Sequence, residues 1–515
     1  MSSGTGLFLY SSNNTSTTPA MLNFLSQFRI DKASSIAVYL QIANGFVTLI
    51  RQGNIRPGFK LPGSRELAQE LGLHRKTIVA AYDELEAQSW IDVLPRKGVF
   101  VAQKLPDVKP RNFVQDTHQT GYPETTHFAV EKEKIPFPLI FPEANYKYKL
   151  VFNDGFPDTR LVPTELIIRE YRRFANFHFT TKFLNYGPEH GSENLRVELA
   201  KFLAKTRGLN VRPDNILITK GAQMAMYLTA QVLLAKGDCV VVGEPGYFGA
   251  NDVFLQAGAK LELIPVDKDG IDLNALEAVC KKHKVRLLYV VPHHHHPTTV
   301  TLSSERRMQL IELSMKYKFA ILEDDYDYDF HYASSPILPL ASVDHYGNVI
   351  YMGSFCKTIA PAIRIGFMIA PTNLIEQVTR LRRLIDRQGE QLLEEAMANL
   401  LKSGDIGRHL KKTNKLYRER RDLLCELLTN ELSEHVHFQK PDGGFAVWTT
   451  LSPHLNLAKV AQKSAELGLW INNGSRYYHN KRTTGNSTRL GFASLNQKEM
   501  EEAVDILKTA IHSFI

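Results

Sequence analysis

Residues 348–371 read NVIYMGSFCKTIAPAIRIGFMIAP, from Asn348 to Pro371. An apolar run ends at Gly353, Lys357 follows in a turn, and a second apolar run, read as a strand, carries Arg364. Runs this short and this rich in β-branched residues suit strands buried on both faces. A lysine in a turn is most simply a surface residue. Set between Ser354 and Arg364, it can also be an amine held beside an anion site, because a guanidinium fork matches phosphate oxygens.

Working outward, DCVVVGEP (238–245), VRLLYVVP (285–292) and KFAILEDD (318–325) are runs of the same kind. Helically spaced segments such as SSERRMQLIELSMKY (303–317) lie between them. Strand–helix alternation implies an α/β core around a mostly parallel sheet. At 515 residues the chain is too long for one core. Its 43% hydrophobic and 23% charged residues fit a soluble globular protein. No run of about 18 apolar residues is present, so no membrane association is expected. Residues 1–19 lack a cationic segment followed by an apolar one, so they read as a mobile tail and not as a secretory signal. The four cysteines, Cys239, Cys280, Cys356 and Cys425, are scattered, which fits a reducing cytoplasm and offers no thiolate metal set. The net charge of +8 permits nucleic-acid binding without establishing it. Residues 103–147, rich in Pro, Lys, Thr and Glu without periodicity, read as a linker between a head at 20–102 and a body at 148–515.

In the head, KLPGSRELAQELGLHRKTIVAAYDEL (60–85) reads as helix, glycine turn, helix. Ser64 is the expected N-cap of the first helix, and Ile78, Val79, Tyr82 and Leu85 are the expected buried face of the second. Arg75, Lys76 and Thr77 open that second helix with donors for phosphates and base edges. WIDVLPRKGVFV (90–101) reads as a hairpin with Arg96 and Lys97 at its tip. These stretches resemble the winged helix-turn-helix domain of the GntR regulators. The resemblance implies that Arg65, Arg75, Lys76, Thr77, Arg96, Lys97 and Gly98 face double-stranded DNA. His74 departs from the small hydroxylated cap common there.

The body resembles the fold-type I aminotransferases, with a large and a small domain, the smaller from about residue 373. By that resemblance Lys357 forms the Schiff base with pyridoxal 5′-phosphate (PLP), and Ser354 and Arg364 hold its phosphate. Gly221, Ala222 and Gln223, opening a helix after ILIT, add backbone donors there. Asp324 faces the pyridine nitrogen, Tyr326 the phenolate oxygen, and Tyr247 the ring face. Arg489, in STRLGFAS, grips an effector carboxylate. Tyr186 and Gly191 mark an early loop near the cofactor, and Gly443 and Gly444 belong to the small domain. Cys356 and Lys220 depart from the family's hydroxylated residues. Asp325, Asp327 and Asp329 are expected to form a solvated acidic loop.

The order of head, linker and body is similar to that of the MocR regulators, which implies a head-to-tail homodimer sensing PLP or an amino-acid effector. A working transaminase with an incidental head, or a body kept only for dimerisation, are the alternatives. The run HHHH at 293–296 raises a metal site, yet neighbours in an extended chain point to opposite faces, so no metal is expected. It falls where the resemblance has a loop beside the cofactor, with His294 at the family's histidine and Thr299 in place of its glycine.

Overall fold

The computed structural model describes residues 30–106, 126–129, 147–175, 180–333, 337–479 and 485–515. The tail at 1–19 and most of the linker lie outside them. The chain forms two compact units, one within residues 1–130 and one within 131–515.

In the first unit α1 (Val38–Arg51) and β1 (Lys60–Leu61) lead into α2 (Ser64–Glu70), α3 (Arg75–Ala87), β2 (Ile91–Leu94) and β3 (Gly98–Val101). The strands form an antiparallel sheet in the order β1-β3-β2. Phe46, Leu67, Ile78 and Leu85 are fully enclosed in its core, and the Tyr82 hydroxyl donates to the Pro62 carbonyl at 2.8 Å. Ser64 is the first helical residue and not the cap. Gly63 holds that place, its N–H bonded to the Glu66 carboxylate at 3.3 Å. His74 caps α3, its Nδ1 accepting the Lys76 N–H at 3.2 Å, so an imidazole replaces the usual hydroxyl. Val79 is 37% exposed. One residue past Ile78 it is turned about 100° around the helix, and Ala81 takes the inward place.

The second unit opens with β4 (Leu150–Phe152) and is built on eight further strands: β5 (Ile216–Thr219), β6 (Cys239–Glu244), β7 (Lys260–Asp267), β8 (Gly270–Ile271), β9 (Val285–Val290), β10 (Ala320–Asp325), β11 (Val349–Ser354) and β12 (Gly366–Ile369). Their order is β5-β12-β11-β10-β9-β6-β7-β8. The central five, β11 to β7, are parallel, while β12 runs against both its neighbours. Helices on both faces explain why Val240, Leu287, Leu288, Ile321 and Leu322 can be apolar without alternation. The register that sets Asp324 beside Met352 aligns the carboxyl ends of β10 and β11, where open α/β sheets bind ligands.

A smaller antiparallel sheet joins Val436–Phe438, Ala446–Leu451 and Ser487–Gly491. Leu469–Ile471 pairs with Leu150–Phe152, so the first described strand of this unit is stitched to its last third. The expected boundary near 373 needs correction. Helix Thr372–Ile385 buries Ile375 and Val378 with Leu217, Met226 and Met368 of the large sheet's layer. The smaller part therefore gathers from Asp405 onward and takes in 150–152.

Leu85→Ala, at a fully enclosed head position, is expected to cost about 2–5 kcal/mol. Hydrogen exchange checks this: protection falls across 38–101 and stays unchanged beyond residue 150.

Candidate functional site

The last residue of β11, Ser354, caps a single helical turn, Phe355–Thr358, by accepting the Cys356 N–H at 3.1 Å. Lys357 therefore sits on a one-turn helix and not in an open turn. Its ammonium donates to the Gly155 carbonyl at 2.8 Å and lies 3.5 Å over the Phe156 ring. Burial pulls its pKa down to about 8 against the pull of Asp154, with Arg489 adding to the drop.

Arg364 precedes β12 and is not part of it. It adopts a left-handed conformation, φ 51°, after the turn Pro361–Ile363. This turns its guanidinium back to the Lys220 carbonyl and to Cys356 Sγ, the latter at 3.3 Å. Gly221, φ 89°, lies directly under it, and a Cβ there would come within 2.9 Å of Arg364 Nη2. Helix Ala222–Leu233 starts at that glycine, so first-turn N–H groups of Ala222 and Gln223 stand beside the guanidinium. A helix N-terminus next to an arginine fork is an anion site. The Lys220 amine pairs with Asp386 at 3.3 Å instead.

Asp324 lies within β10, one residue before its end. Its Oδ2 accepts from the Tyr289 hydroxyl at 2.8 Å, while Oδ1 is buried without a partner. Burial raises this carboxyl to about 7, with Tyr289 opposing the shift. The Tyr326 hydroxyl donates to the His294 carbonyl at 3.0 Å. The Tyr247 ring meets His296 edge-on at 5.2 Å, and burial pushes its phenol up to about 12.

The expected solvated acidic loop is instead internal. Asp325 accepts from the Tyr351 hydroxyl, Asp327 pairs with His294 at 3.0 Å, and Asp329 pairs with Arg207 at 2.9 Å. Each partner is remote in sequence, and each offsets the cost of burying a carboxylate.

The histidine run does not continue as a simple extended strand. His294 and Thr299 have positive φ, and the His296–Pro297 peptide is cis. All four rings are buried, each with its own partner. His293 lies 3.5 Å from Asp325, His294 pairs with Asp327 and stacks on His331, His295 meets Thr298 Oγ1 at 2.9 Å, and His296 meets Asp154 at 2.9 Å. Among the described residues no three His, Cys, Asp or Glu side chains form a metal-holding group. His294 is wedged against Gly443 and Gly444, away from open space. His296 is the ring beside Tyr247, with Arg489 and Lys357 close enough to reinforce burial in lowering its pKa against the pull of Asp154.

Arg489 lies in the strand Ser487–Gly491, 1% exposed, with Nε 3.5 Å from Asp154 Oδ1 and Nη1 3.4 Å from the Pro297 carbonyl. Tyr186 is 75% exposed with Arg387 stacked on it at 3.9 Å, and Gly191 packs on Ile218. Sequence reasoning missed Asp154, Tyr289, His296 and Tyr477 as pocket residues. Asp154, Tyr289 and Tyr477 carry no local motif, and in the histidine run the family pattern points to His294 and not to His296; only the way the chain folds back brings them in.

On the head, Arg65, Arg75, Lys76, Arg96 and Lys97 are exposed and Thr77 is half-buried. Arg75 Nε reaches Ser64 Oγ at 3.4 Å, tying α2 to the start of α3. The hairpin tip turns through Arg96, φ 63°, and Gly98, φ 118°. Among the described residues none of these five cations has an ion-pair partner, so the face is free for an external anion.

Residues 150–507 match the family described as aminotransferase class I and II, and residues 38–101 match the bacterial regulatory proteins of the gntR family. Over 483 residues, 93% of this chain and 95% of the relative, the chain is 27% identical to the probable rhizopine catabolism regulatory protein MocR of Rhizobium meliloti. It is 27% identical over 471 residues, 90% of this chain and 94% of the relative, to the HTH-type transcriptional regulator TauR of Rhodobacter capsulatus. Among solved structures, the kynurenine aminotransferase of Pyrococcus horikoshii superposes with a TM-score of 0.68 at 29% identity, covering 72% of this chain and 92% of that one.

The depressed pKa gives Lys357 a pH signature. Reductive methylation of the ligand-free protein, read by peptide mass spectrometry, is expected to reach half its limiting rate at Lys357 near pH 8. A midpoint at about 10.4, that of a solvated lysine, would contradict the enclosure described.

Proposed function

The chain belongs to the aminotransferase class I and II family and carries a gntR-type head ahead of it, the MocR-type arrangement of transcription regulators, and from that premise we propose that PLP held at Lys357 controls how the head engages DNA. Relatives matching nine-tenths of the chain or more are regulators, whereas two described as aminotransferases match 69% and 71% of it. That pattern favours regulation over transamination as the protein's task.

The observation that carries the reading is a convergence. A low-pKa amine at Lys357, an unpartnered buried oxygen on Asp324, which feels the charge of that amine, and an anion site at Arg364 and Gly221, tied to the lysine's turn through Cys356, gather at the carboxyl ends of β10 and β11. These are the three things PLP presents partners for: an aldehyde, a ring nitrogen and a phosphate. Members of the family are PLP-dependent. When bound, PLP supplies an electrophilic aldehyde and an electron-withdrawing ring. Lys357, neutral in half its copies near pH 8, offers its lone pair without a separate base. Arg364, with Ser354 and the N–H groups of Ala222 and Gln223, holds the phosphate. The free oxygen of Asp324 keeps a proton on the ring nitrogen, and Tyr289 fixes that carboxyl in place. Tyr326 directs its hydroxyl to the phenolate, and Tyr247 covers the ring. His294 acts at one remove, its ring holding Asp327 and its carbonyl accepting the Tyr326 hydroxyl until the phenolate takes that bond over.

The pocket walls come from the large sheet and from the smaller part that carries Tyr477 and Arg489. PLP or an effector that binds one relative arrangement of these parts more tightly shifts the population toward it. The protein acts as a homodimer, so the shift changes the spacing of two heads over two DNA half-sites. Exposed Leu184, Tyr186, Leu384 and Ile385 supply apolar surface for such pairing.

Titration of the full-length protein with PLP is the test. The wild type is expected to gain visible-range absorbance, and its affinity for its own upstream DNA to change at least about fivefold, within the usual span of coupling. Lys357→Ala is expected to lose both effects while still binding DNA. Wild-type DNA affinity that ignores PLP overturns the reading. For the head, Lys97→Ala is expected to weaken binding to all sequences alike and to lower the salt slope by about one. A weakening confined to one DNA sequence would contradict a phosphate contact there.

A further inference from the structure

The segment FNDGF, 152–156, crosses the pocket between Lys357 and Arg489. Asn153 fixes it, its Oδ1 accepting the N–H groups of Gly155 and Phe156 at 3.0 and 2.9 Å and its Nδ2 donating to Ser494 Oγ at 2.7 Å. Asp154 is thereby aimed inward. Its Oδ1 accepts from the Tyr477 hydroxyl at 2.7 Å and lies 3.5 Å from Arg489 Nε, while Oδ2 meets His296 Nε2 at 2.9 Å. Gly155 closes the other flank, where a Cβ would come within 2.8 Å of Arg489 Nη2. Burial opposes ionisation of Asp154, yet His296, Arg489 and Tyr477 hold its carboxyl well below the usual range. Arg489 thus already has an anion beside it. A ligand carboxylate arriving there would meet a like charge in a partly buried site, where such charges are less screened than in open water.

We infer that Asp154 determines specificity, acting as a built-in counter-anion of Arg489 that turns the pocket toward small primary amines lacking a carboxylate and away from α-amino acids. The inference rests on the reading that this pocket holds PLP, whose aldehyde is what calls for an amine. It replaces the carboxylate-gripping role expected of Arg489 with a pairing inside the protein.

Ethanolamine and L-serine differ by one carboxylate and serve as probes. PLP-loaded full-length protein, dialysed free of excess PLP, is titrated with each by calorimetry, with affinity for its upstream DNA followed in parallel. The wild type is expected to bind ethanolamine at least about tenfold more tightly, a difference of about 1.4 kcal/mol. Asp154→Asn, which keeps the shape and can still accept from Tyr477, is expected to erase or invert the preference, with L-serine gaining about tenfold. Asp154→Ser repeats the comparison if the first variant does not load PLP. Equal or tighter binding of L-serine by the wild type overturns the inference, as does an unchanged ratio in the variants. Binding of neither probe by protein that does load PLP overturns it too, while leaving PLP at Lys357 standing. Failure of PLP to load removes the functional reading itself.

Discussion

The bond from Lys357 to the Gly155 carbonyl, 2.8 Å long, joins the end of the large sheet to a segment whose strand belongs to the smaller part of the unit. An amine enclosed there has lost most of its water, and it must either shed its proton or keep an anion near. Both happen. Its pKa falls to about 8, and Asp154 stands close enough to limit the fall. The same constraint orders the surroundings. Asp325, Asp327 and Asp329 leave water only because His293, His294, Tyr351 and Arg207 meet them. Asp324 differs from them: among the described residues it has no cationic or imidazole partner, Tyr289 meets Oδ2, and Oδ1, like one oxygen each of Asp325 and Asp327, has no hydrogen bond. An unmatched buried oxygen is costly in a protein standing alone. It is consistent with a site completed by a bound group.

The two units use the same residue types in opposite ways. In the head, Arg65, Arg75, Lys76, Arg96 and Lys97 stand in solvent with no acidic partner among the described residues, where their charge reaches outward over about a Debye length. In the body, Arg207, Arg382 and Arg489 are enclosed, and their charge is spent on neighbours within the fold. A net charge of +8 says nothing of this division, since it sums over both. The exposed set suits a polyanion approached from outside, and the enclosed set suits a small ligand fixed by a few directed bonds.

Much of the fold was legible because its signals are local. Runs such as VRLLYVV and NVIYMGS announce buried parallel strands by lacking alternation, and the glycine between two amphipathic helices announces the head. Lys357, Ser354 and Arg364 were legible as a short motif, and Asp324 as an acid at a strand end. What escaped depends on distance along the chain. His296 and Asp154 are 142 residues apart, and no local pattern links them. The acidic loop looked solvated because its partners come from residues 207, 293, 294 and 351. Val79 was misplaced for a simpler reason, since an apolar residue adjacent to the buried stripe is turned away from it. The histidine run looked like one chemical feature and is four, each ring serving a different neighbour.

Whether Lys357 is the residue that bonds the cofactor can be read directly. The protein is loaded with PLP, reduced with borohydride to fix any bond between amine and aldehyde, digested, and mapped by mass spectrometry. The expected result is a single reduced PLP adduct, on the peptide containing Lys357. No adduct, or one on another lysine such as Lys220, would contradict the site described.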